Sequence, residues 1–300
     1  MRLLNASGCL DALTAPQTVA ALDAFVTKTV TPLPREGNAP VRIAETDVGM
    51  LNAIGLANPG IDRFLCDHLP RLAQLEVELW VSVGGFSVYD YEELCDRLDD
   101  RPEVTMIELN VSCPNVDEAP SGVAEVVAAA RSATRKQVYA KLSPALPDVA
   151  EAARAAEAAG ADGLSLVNTI KGLALDERTL RPRLERAAGG LSGPALKPIA
   201  LAAVYACRAA TELPIVGMGG VSSGRDALEL LAVGASDVAL GTVLFADPEA
   251  PARVRAELEA EAAALDFANV DNVVGAAHDD SKNPCISAER KAPPALSRGG

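Results

Sequence analysis

Histidine is scarce in this sequence: His68 and His278 are the only two in 300 residues. A catalytic triad or a metal centre built on histidine is therefore nearly excluded, and acid–base chemistry would have to use Cys, Lys, Asp or Glu. We expect no metal site. Aromatic residues are also few, at 3%, which predicts a core of Ala, Val, Leu and Ile between helices and a parallel sheet.

Long hydrophobic runs and paired cysteines are missing as well. No apolar run approaches the roughly 20 residues that cross a bilayer, so we expect no association with a membrane. The six cysteines are scattered, at Cys9, Cys66, Cys95, Cys113, Cys207 and Cys285. None of them forms a CxxC pair, a pattern that is typical of a reduced, cytoplasmic protein.

The composition predicts one acidic domain. A net charge of −14 makes binding to nucleic acid unexpected. With 49% hydrophobic residues the chain can bury a large core, and single α/β barrels commonly run to about 250 residues. We expect one domain over residues 1–278 and a disordered tail over 279–300, which contains Pro-Pro and Gly-Gly.

Strand and helix signals alternate along the chain. Short β-rich runs predict strands at 3–6, 25–30, 78–84, 105–111, 137–142, 163–168, 214–218 and 236–240. Helical patterns follow at 16–24, 61–76, 90–99, 120–134, 147–159, 194–211, 224–233 and 249–265. This alternation predicts an α/β fold, a (β/α)8 TIM barrel. The Pro- and Gly-rich segment 31–60 is too long for an ordinary connection and is expected to be a functional loop.

In such a barrel the active site lies at the C-terminal ends of the strands. This chain places its unusual residues there: Ser7, Lys28, Asn110, Cys113, Lys141, Asn168, Gly219 and Gly241. The agreement among these positions carries more weight than any one of them. Lys141 falls in a strand that is expected to be buried on both faces, so its charge requires a partner.

The chemistry is expected to centre on the segment 108–115. Its apolar strand ends in amide, hydroxyl and thiol side chains, and Pro114 prevents further pairing, which places Cys113 on the loop just beyond the strand. A cysteine beside a turn is often only a buried structural residue. The polar neighbours Asn110 and Asn115 favour a reactive site instead.

Glycines follow the last two predicted strands, in Gly217-Met218-Gly219-Gly220 and in Gly241-Thr242. Such glycines let backbone N–H groups approach an anion, and the corresponding loops of barrels commonly bind phosphate. They could also be ordinary turn glycines, and a Rossmann interpretation is weak because the third glycine is misplaced. A phosphorylated cofactor beside a thiol, amides and lysines indicates organic redox chemistry.

Several short motifs extend this pattern over about residues 3–265. They are Asn5-Ala6-Ser7-Gly8, Val26-Thr27-Lys28-Thr29, Arg35-Glu36-Gly37-Asn38, Asn52-Ala53-Ile54-Gly55-Leu56, Asn110-Val111-Ser112-Cys113-Pro114-Asn115, Val167-Asn168-Thr169 and Gly189-Gly190-Leu191-Ser192-Gly193-Pro194. With the two late glycine loops, they resemble the motifs of the dihydroorotate dehydrogenases, in particular the soluble class 1 members. The resemblance implies an FMN-containing (β/α)8 barrel that oxidises dihydroorotate to orotate in pyrimidine biosynthesis.

The resemblance also implies a role for each matching residue. Cys113 would be the base that removes a proton from C5 of the substrate while a hydride leaves C6 for N5 of the flavin. The residues expected to bind substrate are Lys28, Asn52, Gly55, Leu56, Asn110, Asn115, Asn168 and Thr169. Those expected to bind FMN are Ser7, Lys28, Thr29, Asn110, Lys141, Val167, Gly193, Gly219, Gly220, Gly241 and Thr242. Lys141 would face the N1/O2 region of the flavin, where negative charge accumulates on reduction.

Partners follow from the same resemblance. It implies a homodimer and, in the NAD-linked class 1B branch, an added subunit that carries FAD and a [2Fe–2S] cluster. The stretch 190–194 looks like that branch, whereas Ser82 stands where the branch commonly has Asn, so fumarate stays open as the final electron acceptor. Because the chain has no cysteine cluster for an iron–sulfur centre, NAD reduction would require the second subunit.

Two other functions stay open on the sequence. A related FMN barrel that acts on another dihydropyrimidine, such as dihydrouracil, would keep the Cys-Pro-Asn core. A barrel that binds a phosphorylated ligand without redox chemistry would keep the glycine loops. The visible spectrum of the protein, and its activity on dihydroorotate against dihydrouracil, separate these functions.

Overall fold

The computed structural model describes residues 1–111 and 122–282. Its strands, in chain order, are β1 (Leu3–Asn5), β2 (Ala24–Val26), β3 (Ile43–Thr46), β4 (Gly49–Asn52), β5 (Glu78–Val83), β6 (Met106–Asn110), β7 (Gln137–Leu142), β8 (Gly163–Leu166), β9 (Ile170–Leu173), β10 (Ala188–Ser192), β11 (Ile215–Met218) and β12 (Asp237–Leu240). Eight of them are parallel and close into a barrel in the order β1-β12-β11-β8-β7-β6-β5-β2. The predicted (β/α)8 fold is therefore confirmed.

Helices connect the barrel strands. They are α1 (Pro16–Ala20), α2 (Ile61–Arg63), α3 (Leu69–Leu72), α4 (Val88–Asp99), α5 (Val123–Ala133), α6 (Val149–Ala158), α7 (Lys197–Arg208), α8 (Gly224–Ala232), α9 (Val243–Ala246) and α10 (Ala250–Ala264). A π-helical turn, Phe64–His68, joins α2 to α3, and 3-10 helices lie at Pro194–Leu196, Val270–Val273 and Asp280–Lys282. None of the helices in the described residues is long and apolar enough to cross a membrane.

Local sequence signals explain where the helices begin. Ser87 accepts a hydrogen bond from the backbone N–H of Asp90 and forms a capping box at α4, and Ser223 does the same with Asp226 at α8. Asp148 caps α6 by accepting from the N–H of Glu151. Such caps satisfy backbone donors that the first helical turn leaves unpaired.

The core has two layers. The larger layer packs Leu, Val, Ile and Ala side chains between the barrel and its helices. The smaller one fills the barrel interior around Trp80, Met106 and Tyr139. Gly163 makes room for the Tyr139 ring, because a Cβ on that glycine would lie 2.3 Å from it. These apolar side chains plug the barrel, so the polar chemistry is confined to the C-terminal ends of the strands.

A second sheet covers that end of the barrel, which the sequence did not predict. It is antiparallel in the order β3-β4-β10-β9. Segment 31–60, expected to be a loop, contains its β3–β4 hairpin. The interval 169–193, which carried no predicted element, contributes β9 and β10. One face of this sheet packs a small apolar cluster around Leu51 and Leu184.

Other predicted boundaries differ at the ends. The strand expected at 163–168 ends at Leu166, the helix expected at 61–76 ends at Leu72, and the helix expected at 194–211 starts as a 3-10 turn. Within the segment expected to be a disordered tail, Asp280–Lys282 forms a 3-10 helix. Residues 283–300, including Cys285, lie outside the described residues.

Candidate active site

A cavity of about 560 Å³ opens at the C-terminal end of the barrel, between the strand ends and the second sheet. Every predicted site residue that the structure describes lines it: Ser7, Lys28, Thr29, Asn52, Gly55, Leu56, Asn110, Lys141, Val167, Asn168, Thr169, Gly193, Gly219, Gly220, Gly241 and Thr242. These residues come from most of the strand ends of the barrel and are far apart in sequence. The fold thus brings residues of most of these motifs together in one place, whereas none of residues 35–38 lines the cavity. Cys113 and Asn115 lie outside the described residues.

The floor of the cavity contains a chain of side-chain hydrogen bonds. Asn168 donates to Oδ1 of Asn110 over 3.0 Å, and Asn110 donates in turn to the hydroxyl of Thr29 over 3.2 Å. Thr29 also lies 3.1 Å from the hydroxyl of the buried Ser82. The network fixes amide groups from two separate strand ends in defined orientations, which suits a flat ligand with donors and acceptors along its edge.

Lys28 reaches the cavity because its neighbour has no side chain. A Cβ on Gly8 would lie 2.8 Å from Cδ of Lys28, and Gly8 has a φ of +77°, which favours glycine. The motif Ser7-Gly8 at the end of β1 therefore leaves space for the Lys28 side chain. Ser7 is held in place by donating to the carbonyl of Thr27 over 2.8 Å.

The second sheet forms the roof of the cavity. Ile43, Met50, Asn52 and Ser192 line it from β3, β4 and β10. In this sheet Ile43 lies opposite Asn52, which lies opposite Gly190, so one face of the sheet points toward the barrel. Roof and barrel meet where Thr242 donates its hydroxyl to that of Ser192 over 2.8 Å.

The loop 54–56 adds a strained turn to the roof. Gly55 has a φ of +74° and is followed by Leu56 at +57°, a conformation that side chains other than glycine rarely adopt. Leu56 is nevertheless buried and lines the cavity. Asn58 accepts the N–H of Gly60 and donates to the carbonyl of Leu56, which holds this turn together.

Two glycine loops present backbone N–H groups to the cavity. In the described part of the chain, the N–H groups of Gly219, Gly220, Gly241 and Thr242 donate to no other residue. Gly219 and Gly220 have φ values of +122° and +78°. A Cβ on Gly220 would lie 2.8 Å from the backbone nitrogen of Lys197, so the loop tolerates only glycine there. Oriented N–H groups of this kind bind anions.

A buried carboxylate supports the first of these loops. Asp226 accepts hydrogen bonds from Lys197 at 2.8 Å and from the backbone and hydroxyl of Ser222. Burial by itself would raise the pKa of Asp226, but the bonds from Lys197, Ser222 and Ser223 outweigh it and lower the pKa to about 2. The carboxylate is therefore ionised throughout the physiological pH range.

Lys141 has a charged partner inside the barrel. Its Nζ lies 3.5 Å from Oε1 of Glu108 on the adjacent strand, and both side chains are almost completely buried. Lys141 lines the cavity. The ion pair allows the lysine charge to stay at the cavity floor without access to bulk water.

Cys9 is a cavity residue that the sequence did not single out. Its side chain is partly buried at the cavity wall, and desolvation raises the pKa of the thiol, with the positive charges of Lys141 and Lys28 acting in the opposite direction. The signal that could have found it is its place directly after Asn5-Ala6-Ser7-Gly8. Ile43, Met50 and Ser192 were also missed, since the roof was not predicted, and so was Phe245, which lies in the short helix α9.

Comparison with known proteins gives a consistent family. A family model described as dihydroorotate dehydrogenase matches residues 2–261. The chain is 45% identical over 267 residues, 87% of each protein, to the catalytic subunit of dihydroorotate dehydrogenase B (NAD(+)) from Desulforudis audaxviator. The subunit of the same name from Geobacter sulfurreducens is 44% identical over 263 residues, 85% of this chain and 86% of the relative. That from Geobacillus kaustophilus is 40% identical over 264 residues, 86% of this chain and 84% of the relative.

A solved structure shares the fold. The crystal structure of DHODH in complex with ferulenol from Eimeria tenella superposes with a TM-score of 0.76 and covers 92% of this chain and 85% of that chain. The sequence identity is 23%, so this likeness concerns the barrel architecture alone.

Proposed function

The chain belongs to the dihydroorotate dehydrogenase family, and we propose that it is the FMN-dependent catalytic subunit of a class 1B enzyme that oxidises dihydroorotate to orotate in pyrimidine biosynthesis. The observation that carries this proposal is the single cavity in which residues of most family motifs meet. Relatives that share 40 to 45% of their residues with this chain carry the name of the NAD-linked catalytic subunit.

The cavity suits FMN. The N–H groups of Gly219, Gly220, Gly241 and Thr242 can receive a phosphate, since they donate to no other described residue. Their glycines leave the approach open: a Cβ on Gly241 would have no described atom nearer than 3.6 Å. Lys141 supplies positive charge at the floor. FMN, when bound, supplies the hydride acceptor of the reaction.

The hydrogen-bonded amides suit the substrate. The ring of dihydroorotate carries alternating N–H donors and carbonyl acceptors along one edge and one carboxylate, and Asn52, Asn110, Asn168 and Thr169 present amide and hydroxyl groups around one space. Lys28 extends into the same space and matches the carboxylate in charge. The second sheet covers this space, and covering an active site limits the access of water to the reacting groups.

We assign Cys113 as the base. It follows Asn110 by three residues in the motif that ends strand β6, and the family's class 1 members use a cysteine there. The thiolate would take the proton from C5 of dihydroorotate as the hydride leaves C6. Cys113→Ala should lower turnover by about 10²–10⁴-fold while FMN stays bound, because the thiol contacts substrate rather than cofactor. Near-normal turnover in Cys113→Ala would contradict this role.

NAD is the proposed final electron acceptor, reached through a partner. The partner would carry FAD and a [2Fe–2S] cluster and would bind a homodimer of this chain. Ile43 and Phe245 line the cavity mouth while about half of each side chain is exposed, an apolar rim that a partner could cover so that electrons travel a short distance. The four described cysteines are free thiols, which suits the reducing cytoplasm as the proposed location.

Steady-state assays of the isolated chain test these proposals. We expect orotate formation with an artificial dye as acceptor, none from dihydrouracil, and NAD reduction only after the partner subunit is added. Rapid activity on dihydrouracil would contradict the proposed substrate. Rapid orotate formation with fumarate and no partner would contradict the proposed acceptor.

A further inference from the structure

A buried ion pair lies directly below the cavity, inside the barrel. The side chains of Glu108 and Lys141 are 1% and 8% exposed, and Oε1 and Nζ are 3.5 Å apart. Lys141 lies beside Asn110 in strand register, while Glu108 lies one layer deeper, beside Ser82 and Tyr139. Lys141 lines the cavity and Glu108 does not. The lysine therefore stands between the carboxylate and any ligand in the cavity.

One oxygen of this carboxylate lacks a hydrogen bond in the part of the chain that the structure describes. Oε1 of Glu108 has no hydrogen-bond donor among the described residues, and neither does the hydroxyl of Ser165, which lies beside Lys141 in the next strand. A fully buried carboxylate is costly unless it is paired. The ion pair with Lys141 thus stabilises the carboxylate of Glu108 at this depth. In turn, Glu108 restrains the position of the lysine ammonium.

The pair also sets the charge that a ligand experiences. Coulomb interactions in a buried site are much stronger than in water, so the negative charge of Glu108 offsets much of the positive charge of Lys141 at the cavity floor. Lys28 and Lys141 both influence Cys9 electrostatically, and Glu108 acts on the same thiol in the opposite sense. Two positive charges and one negative charge, which sum to about +1, therefore act on one small region of the cavity.

On this basis we propose that Glu108 is a positioning residue for Lys141 and that, by holding the ammonium and offsetting its charge, it keeps the reduction potential of the bound FMN low. The proposal rests on the proposed function, since it requires FMN in the cavity. Bound FMN gains negative charge on reduction, and a lysine that is partly neutralised stabilises that charge less than a lone lysine does. A low potential favours passing electrons onward to a nicotinamide.

Spectroelectrochemical titration of the FMN-loaded protein tests this proposal. Glu108→Gln keeps the side-chain shape and removes the charge. We expect its FMN potential to become more positive, which corresponds to reduced FMN being held at least tenfold more tightly relative to oxidised FMN, or about 30 mV for a two-electron couple. Ser165→Ala, which removes a neutral buried hydroxyl next to Lys141, is the matched control and should leave the potential unchanged.

A second pair of variants shows whether Glu108 acts through Lys141. Glu108→Gln alone breaks a buried ion pair, which can prevent folding, whereas Lys141→Met with Glu108→Gln replaces the ion pair by neutral groups of similar size. In the Lys141→Met background Glu108 has no ammonium to hold or to offset. We therefore expect Lys141→Met and the double variant to have the same potential.

The outcomes distinguish the proposal about Glu108 from the proposed function. An unchanged or more negative potential in Glu108→Gln overturns the proposal. A potential that is more positive in the double variant than in Lys141→Met also overturns it, because Glu108 would then act on the flavin independently of the lysine. A wild-type protein that takes up no FMN contradicts the proposed function instead, and this is seen in its visible spectrum before any potential is measured.

Discussion

Asn168 donates its side-chain N–H to Oδ1 of Asn110 over 3.0 Å, linking the C-terminal ends of β8 and β6 across the intervening strand β7. Oδ1 of Asn168 accepts the backbone N–H of Thr169 over 2.9 Å. The amide is thus oriented by bonds at both of its polar atoms. A side chain held in this way presents a fixed hydrogen-bonding edge to a ligand, and the cost of ordering it is met on folding rather than on binding.

Asn168→Ala should weaken substrate binding. The substitution removes the bond to Asn110 and leaves that amide oxygen without its donor, which costs about 1–3 kcal/mol, equivalent to roughly 5- to 150-fold in KM or kcat/KM. FMN content should stay unchanged. Asn272→Ala, at an exposed position remote from the cavity, serves as the control in the same dihydroorotate assay. Equal KM values for the two variants would contradict the role of Asn168.

Gly241→Ala should impair FMN binding without unfolding the protein. Its new Cβ would meet only Ala6 and Cys9, at 3.6 and 3.7 Å, which are ordinary contacts inside the cavity wall. The methyl group occupies space that the proposed cofactor needs, so we expect the Kd for FMN to rise about tenfold or more. Fluorescence titration of apoprotein measures this, and an unchanged Tm with unchanged FMN affinity would place the cofactor elsewhere.

Gly220→Ala should instead destabilise the fold. The residue has a φ of +78°, and its Cβ would lie 2.8 Å from the backbone of Lys197. We expect a loss of about 1–3 kcal/mol in the free energy of unfolding, measured by urea denaturation. Gly122→Ala is the matched control, because a Cβ there has nothing within 4 Å among the described residues; comparable losses in both would contradict this explanation.

Asp226→Asn should lower stability in a pH-dependent way. The folded-state pKa of Asp226 is about 2, below the ordinary value near 3.9 for an unfolded chain. The ionised carboxylate therefore stabilises the fold fully above about pH 4, and this contribution disappears as the pH falls toward 2. At pH 7 the variant should lose about 1–2 kcal/mol, and its difference from wild type should shrink between pH 4 and 2.

Denaturant titrations at several pH values measure this difference. Asp100→Asn provides the comparison, since Asp100 is 93% exposed in its ion pair with Arg135 and such surface pairs contribute little. A difference between wild type and Asp226→Asn that is constant from pH 7 to pH 2 would show that the carboxylate charge is not responsible.

Thiol labelling should distinguish the cysteines by environment. Burial raises the pKa values of Cys95 and Cys207 to about 12, so at pH 8 roughly one thiol in 10⁴ would be in the reactive thiolate form. Cys66 is exposed. Mass spectrometry after brief treatment of the native protein with iodoacetamide should find Cys66 modified and the two buried thiols unmodified. Rapid labelling of Cys95 would contradict its placement in the core.

The barrel could be predicted because its signals are local. The barrel strands are short apolar runs followed by helical patterns, and side chains cap the helices α4, α6 and α8. Both features are visible in a few consecutive residues. The cavity residues followed from the rule that chemistry lies at the strand ends. Their proximity in the structure comes from closure of the sheet, which places Ser7 and Asn168 on one cavity wall although 160 residues separate them.

The second sheet could not be predicted, for a physical reason. Strands β3 and β9 are short and half-exposed, so their residues do not form an apolar run, and β10 contains two adjacent glycines, which disfavour strands. Its stability depends on pairing between β4 and β10, which are about 140 residues apart. Pairing at that distance is not encoded in any short window of sequence.

The partner of Lys141 could not be identified from the sequence either, because the contact depends on strand pairing. Glu108 belongs to the segment that was expected to carry the chemistry, but its contact with Lys141 depends on the register between β6 and β7. If the register of β6 were shifted by one residue, the carboxylate would lie on the other face of the strand, between the barrel and the helices. The sequence indicated that the lysine needed a partner, and only the structure identifies it.

Anaerobic mixing of the purified, FMN-loaded chain with dihydroorotate is the most direct test of the proposed activity. Flavin absorbance near 450 nm should bleach within one turnover, and one orotate should form for each FMN reduced. Dihydrouracil at the same concentration should leave the spectrum unchanged. A spectrum that dihydroorotate does not bleach, in protein that visibly contains FMN, would contradict the account.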